Sequence, residues 1–390
     1  MTKSQKFLNE QRVPENFCIR PWTELHIEED GKVTPCCVMP SNRFPMGNNI
    51  KEYFEGAALK NLRNALQKNK QHPYCEYCWE TERNKLRSHR VKQPTFHNRN
   101  TIEKIHIRLN NVCNFTCRMC GPNFSTTWKA ENRKHLFFID DSPDDLTVNA
   151  FDKDPKLLEL IKVLIKNGSL KQINISGGEP LITDANVQLL QFLIDNRCTD
   201  VHLSYSTNLS NLQYKNHNLR DLWRHFRNVS LLASCDGWGA ANEYGRSGFD
   251  TKNFLINLKK SFMFVERIVC VVNNYSVWSI PELLRIMDKL GKPVTFNPLY
   301  IPEHTNCQTL PQELKDQIRE LYKHDDRLIE LYDNFIAQPQ PERMKQFIDY
   351  NIFLDGWRGT DFFKTFPQYK NYKHHTLTPT TVHQRVVHNK

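Results

Sequence analysis

The 390-residue chain has no run approaching the ~18 consecutive apolar residues that a membrane-spanning helix requires. Its amino terminus, MTKSQKFLNEQRVPEN, has no apolar stretch of the kind a secretory leader carries. Both absences lead to the expectation of a cytoplasmic protein without a membrane partner. In a reducing compartment twelve cysteines make a poor disulfide framework, so any that cluster are best explained by metal or catalytic chemistry. Acidic residues are missing from two stretches, 83–99 and 370–390. The first is the basic run RNKLRSHRVKQPTFHNR; the second holds four of the charges behind the net +10. Nucleic-acid recognition would call for stacking aromatics among the basic residues, and the first run offers only Phe96, which argues against such a role.

Eight of the cysteines fall into two groups: Cys18, Cys36, Cys37, Cys75 and Cys78, then Cys113, Cys117 and Cys120. Cys198, Cys235, Cys270 and Cys307 stand alone and read as small buried hydrophobes. From about residue 100 to 300, short β-rich runs alternate with amphipathic stretches. The expected strands are 105–109, 172–176, 201–206, 229–234, 267–272 and 294–299. Helical patterns fall at about 124–135, 155–166, 184–195, 216–226, 252–263 and 279–290. Six β/α units in series imply an α/β fold with a parallel sheet, open or closing toward a barrel, and an active site at the carboxyl ends of its strands. Before it, WTELHIEEDGKVTPCC alternates residue types around Asp30-Gly31, a hairpin signal. After it, 311–335 reads as helix and 341–369 as mixed structure; 370–390 has too few core formers to fold and is expected to be disordered. The expected organisation is a cysteine-rich region at 14–90, a core at 100–300, a mostly helical extension at 301–369 and a tail.

Residues 110–122, NNVCNFTCRMCGP, place a CxxxCxxC directly after the first expected core strand. Twelve cysteines scattered at random would produce that spacing roughly 0.01 times. Three thiolates on one short loop can hold three irons of a cubane cluster and leave the fourth open. The amino-terminal pattern, Cys18-x12-Gly31-x4-Cys36 followed by Cys75-x2-Cys78, supplies four thiols around a hairpin; by spacing alone it suits zinc or an iron–sulfur cluster equally. Cys37 lies one residue out of register, and in extended structure its side chain would point away from Cys36.

The CxxxCxxC loop resembles the signature of the radical S-adenosylmethionine (SAM) superfamily, and ISGGEPLIT (175–183), YSTNLS (205–210) and SCDGWGAANEYGRSGFDTKNF (234–254) are similar to its later motifs. The resemblance implies a partial (β/α)6 barrel and a [4Fe–4S] cluster on Cys113, Cys117 and Cys120 that cleaves SAM reductively to a 5′-deoxyadenosyl radical, which abstracts hydrogen from a peptide or small-molecule substrate. It implies SAM contacts from Met119, where an aromatic is usual, and from Gly177, Gly178, Glu179, Pro180, Ser206, Asn208, Ser234 and Arg246. In YSTNLS, Leu209 stands where Gly is usual. Asn273, in VVNNYSVWSIPELLRI, is a further candidate, either for the site or as a structural turn. The amino-terminal pattern resembles the opening of SPASM and twitch auxiliary-cluster modules, which implies a second [4Fe–4S] cluster on Cys18, Cys36, Cys75 and Cys78. An electron donor such as a flavodoxin or ferredoxin would complete the system. The alternative is a non-catalytic zinc or iron–sulfur protein that uses the scaffold to bind a partner or nucleic acid.

Overall fold

The structure is a computed structural model that describes residues 15–29, 31–39, 50–83, 88–91, 101–135, 150–154 and 156–375. Residue 14, Asp30, most of the basic run 83–99 and residues 376–390 of the expected tail lie outside the described residues.

The strands among them are β1 (Glu24–Ile27), β2 (Val33–Thr34), β3 (Lys104–Arg108), β4 (Gln172–Ser176), β5 (His202–Thr207), β6 (Gln213–Tyr214), β7 (His217–Asn218), β8 (Asn228–Ser234), β9 (Val265–Val272) and β10 (Val294–Pro298). Eight form one sheet in the order β10-β9-β8-β5-β4-β3-β1-β2, and β6 and β7 form a separate small hairpin. From β3 to β10 every neighbouring pair in that sheet is parallel. Each expected core strand is found within two residues of its sequence-based limits, because strictly alternating runs bounded by turns leave one register that buries the apolar set.

That alternation divides the sheet into two faces. Ile105, Ile107, Ile173, Ile175, Leu203 and Tyr205 are fully buried among the helices. The intervening residues are polar and face the concave side, where His106 Nε2 lies 3.2 Å from Ser176 Oγ and His202 Nε2 lies 2.9 Å from Ser230 Oγ. Helices Lys156–Lys166, Asp184–Asp195, Thr251–Lys260 and Ile280–Lys289 cover the apolar side. Beyond the two sheet edges, Tyr77 meets Tyr300 edge to face with ring centroids 5.9 Å apart. This contact brings the amino-terminal region against the loop leaving β10, so the sheet is curled into an open barrel.

The amino-terminal hairpin does not stand apart from the core. β1 pairs with β3 in parallel (His26 opposite His106) and with β2 antiparallel, so the cysteine-rich region extends the core's own sheet. The turn closes through Glu28 N to Lys32 O (2.9 Å), with Gly31 at φ +82°, a conformation glycine adopts without steric cost.

At the other end, the single helix expected over 311–335 is broken. Helix Gln312–Tyr322 stops, and Asp325 starts Asp326–Leu331 by accepting a hydrogen bond from Arg327 N. Helix Met344–Arg358 follows and ends at Gly359, whose φ is +64°. The chain then continues in 3-10 turns from Pro367 to His375, so the first residues of the expected tail are ordered. The reason is a buried anchor: Tyr369 OH donates to Asn274 O (2.8 Å) and accepts from Trp278 Nε1 (2.8 Å), while Tyr372 packs against the core.

Candidate metal centres and cofactor site

Cys113, Cys117 and Cys120 occupy the loop that leaves the carboxyl end of β3. The turn after β4 is locked against that loop: Gly178 N donates to Asn110 O (2.8 Å) and Glu179 N to Val112 O (2.7 Å). A Cβ on Gly177 would lie 2.4 Å from Asn110 O, and one on Gly178 would lie 2.2 Å from Val112 O. Both glycines are therefore required by the approach of two protein backbones, before any ligand is considered.

Glu179 is buried and its carboxylate accepts from Asn208 N (2.6 Å), Thr207 Oγ1 (2.7 Å) and Leu181 N (3.0 Å). Burial pushes it up to about 7, against those three hydrogen bonds. It thereby ties the motif after β4 to the one after β5. Asn208 Nδ2 reaches Asn114 Oδ1 of the cysteine loop at 3.0 Å. Leu209, where glycine was the family expectation, holds φ +55° and is buried in the core. Ser206 is exposed near the end of β5 on the concave side, and Ser234 is the last residue of β8. Pro180 is buried at the start of a 3-10 turn, and Met119 packs half-buried on the core.

Arg246 is buried and forms a bidentate pair with Asp236, Nε to Oδ2 at 2.7 Å and Nη2 to Oδ1 at 2.8 Å. The segment that carries it is bonded to the cysteine loop, Arg118 N donating to Gly245 O (2.8 Å) and Thr116 N to Ser247 O (2.8 Å), so the sequence-distant arginine is brought beside that loop. Asn273 serves the turn after β9: its Oδ1 accepts from Tyr275 N (2.9 Å) and Ser276 N (3.0 Å).

Burial raises the three loop thiols, Cys113 to about 12, with the neighbouring thiols adding to the rise at Cys113 and Cys117. Three soft donors on one short loop, in surroundings that disfavour their free thiolates, suit a positively charged iron centre.

The second group surrounds a cavity lined by Cys18, Cys36, Cys75 and Cys78, with Arg20 and Arg90 in its wall. Cys36 follows β2, Cys75 closes a 3-10 turn, and Cys78 sits one helical turn later in Glu76–Arg83. Arg90 holds the segments together by pairing with Glu82 while donating to Phe17 O (3.1 Å). Arg20 pairs with Glu24 and donates to His89 O (3.1 Å). Cys37 is placed differently from the extended-strand expectation. The strand ends at Thr34, and the chain turns, with Met39 N bonded to Cys36 O (3.2 Å), so the pair does not continue in extended structure. The hydrogen bond from Cys37 brings Cys36 down to about 6 against its burial, with Arg20 assisting, while Cys37 is pushed up. Among the described residues no three Cys, His, Asp or Glu side chains are grouped as they would be around a bound metal ion, and this holds for the loop thiols as for these four. Four thiols spread around a cavity suit a polynuclear cluster, which takes one thiolate per iron.

The sequence pattern missed Arg118, between two of the loop cysteines. Its guanidinium is fully buried and donates to Tyr244 O (3.2 Å), Asn351 Oδ1 (3.1 Å), Asp355 Oδ1 (2.7 Å) and Thr360 Oγ1 (2.8 Å). Its partners lie up to 242 residues away, and nothing in the local sequence signals them.

Residues 18–79 match the SPASM iron-sulfur cluster-binding domain. GTP 3′,8-cyclase of Sulfurimonas denitrificans is 24% identical over 234 residues, 58% of this chain and 65% of that protein. GTP 3′,8-cyclase of Campylobacter lari is 27% identical over 130 residues, 33% of this chain and 34% of that protein. The chain thus spans less than two thirds of the curated relatives it matches. Among solved structures, Streptococcus suis SuiB bound to S-adenosylmethionine aligns over 81% of this chain and 71% of its own, at 12% identity and a TM-score of 0.38. Native anSMEcpe with bound AdoMet and the Cp18Cys peptide aligns over 57% and 60%, at 15% identity and a TM-score of 0.36. Together with the cysteine loop and the motifs locked around it, the domain match and the two relatives bear out the resemblance to radical SAM enzymes with an amino-terminal SPASM-like region.

Proposed function

We propose that this chain is an enzyme that binds a [4Fe–4S] cluster through Cys113, Cys117 and Cys120 and SAM beside it, and that a second [4Fe–4S] cluster is held by Cys18, Cys36, Cys75 and Cys78. When bound, the first cluster with SAM supplies a reductive cleavage to the 5′-deoxyadenosyl radical, which takes hydrogen from a peptide or small-molecule substrate. The observation that carries this reading is the locking of the turn after β4 onto the cysteine loop, with the segment that carries Arg246 hydrogen-bonded to the same loop.

The protein's own groups have separable tasks. The Arg246 charge favours the thiolate at Cys117, and Asp236 fixes the guanidinium. Glu179 keeps the SAM-facing loops after β4 and β5 in register. Gly177, Gly178, Pro180, Ser206, Asn208 and Ser234 lie at or just beyond the carboxyl ends of successive strands, where they would contact SAM, with Met119 packing on its adenine. Four thiols saturate the second cluster, so its role is electron transfer or support of the region. Among the described residues no helix is long and apolar enough to cross a membrane. The reductant would be a flavodoxin or ferredoxin in the cytoplasm.

Anaerobic reconstitution tests the reading. The expected result is about eight iron and eight sulfide per chain, with reductive conversion of SAM to 5′-deoxyadenosine. Stoichiometric zinc on the amino-terminal thiols, with no SAM cleavage in the reduced protein, would overturn it.

A further inference from the structure

We propose that the carboxyl-terminal helix Met344–Arg358 is a positioning element for the three-cysteine loop, and that it acts through Arg118 with Asp355 as the buried counter-charge. The inference rests on the reading that this loop holds the SAM-binding cluster.

A fully buried guanidinium is costly unless it is paired and its donors are satisfied. Arg118 meets that condition only with groups from outside its own loop. Asp355, Asn351 and Thr360 come from the carboxyl-terminal helix and its cap; Tyr244 contributes a carbonyl and a ring face 3.7 Å from the guanidinium carbon. An aliphatic side chain would fill the same space without that requirement, so the choice of arginine ties the loop's geometry to the helix.

The grip extends to the backbone on both sides of Arg118. Tyr350 OH donates to Arg118 O (2.6 Å), and Trp128 Nε1 donates to Cys117 O (2.8 Å). Trp128 is in turn covered by the Arg358 guanidinium, 4.7 Å from its ring centre, and Arg358 pairs with Glu131. Cys120 packs against the apolar cluster of Trp128, Tyr350 and Leu354. Every loop residue from Cys117 to Cys120 except Met119 therefore touches the helix or a group the helix covers.

Asp355 also accepts from Tyr244 OH (2.9 Å), and the neighbouring Gly245 O accepts from Arg118 N (2.8 Å). One carboxylate thus links the cysteine loop with the segment that carries Arg246. In a low-dielectric site its charge is felt by a nearby redox group, and removing it makes that group easier to reduce.

The test uses the full-length reconstituted protein and three variants: Arg118→Lys, Tyr350→Phe and Asp355→Asn. The readouts are electron paramagnetic resonance of the reduced centres with and without SAM, potentiometric titration and circular dichroism. Arg118→Lys and Tyr350→Phe should keep native circular dichroism and the signal of the amino-terminal centre, while changing the g-values of the Cys113–Cys120 centre and weakening its response to SAM. Asp355→Asn should shift that centre's potential upward and leave the other in place. Wild-type signals, SAM response and potential in both Arg118→Lys and Tyr350→Phe would refute the positioning role, even if Asp355→Asn failed to fold. If the wild-type protein itself gave no SAM-responsive centre, the underlying reading would fall instead.

Discussion

The three thiols at 113, 117 and 120 come from one loop of eight residues, whereas those at 18, 36, 75 and 78 are gathered from three segments spread over sixty-one. The two groups are also built at opposite ends of parallel strands. The loop leaves the carboxyl end of β3, while Cys18 precedes β1 and Cys36 follows the antiparallel β2, back toward the start of β1. The compact loop is held chiefly by hydrogen bonds to its backbone from β4's turn, the 244–247 segment and the carboxyl-terminal helix. The dispersed group is held chiefly by two arginine side chains, Arg20 and Arg90. A short motif thus needs distant support to hold its shape, and a dispersed one needs cross-linking side chains to exist at all.

The largest expected effect separates the two groups outright. Cys117→Ala should abolish SAM cleavage and leave the iron of the amino-terminal site in place; loss of all iron would show that the groups are not independent. Next, Cys36→Ala should lose the amino-terminal iron while Cys37→Ala retains it, since Cys36 lines the cavity with the other three thiols. Equal losses, measured by iron content, would mean that the coupled pair acts as a unit. The smaller change Arg90→Met should lower iron occupancy at that site alone, because it releases Phe17 O and Glu82 together.

Two carboxylates should give the regions opposite pH behaviour. Burial would raise Glu28, but the hydrogen bond from His26 and the charge of Arg108 outweigh it and hold Glu28 at about 2. Its contribution is complete above about 4.5, the ordinary value, and is lost as pH falls toward 2. Glu179, raised to about 7 by burial, works the other way: the folded state is penalised progressively as pH rises from about 4.5 to 7. Each effect is about 3 kcal/mol at most. Melting temperatures of Glu28→Gln and Glu179→Gln against wild type should therefore diverge with pH in opposite senses; parallel curves would contradict the assignment. The smallest effect is expected at Leu209. Glycine there relieves the left-handed backbone by about 1 kcal/mol, but empties a core position worth roughly 2–5 kcal/mol. Leu209→Gly should be net destabilising, by about 2 kcal/mol, in denaturant unfolding.

Residue spacing by itself determined the parallel α/β core, the strand limits and the two cysteine groups, because alternation and thiol spacing are local properties that survive in any correct fold. The hairpin at Gly31 was equally legible, since a positive φ has a residue signature. Tertiary structure alone decided that the hairpin joins the core sheet, since pairing β1 with β3 spans some eighty residues and no pattern in either strand names its partner. It also decided that Cys36 and Cys37 lie in a turn and not in extended structure, because the strand ends two residues before the pair. Above all it decided the role of the carboxyl-terminal extension. Arg118 and Asp355 are 237 positions apart, and each alone reads as an ordinary surface charge. Only folding, which takes both out of water, makes their pairing obligatory.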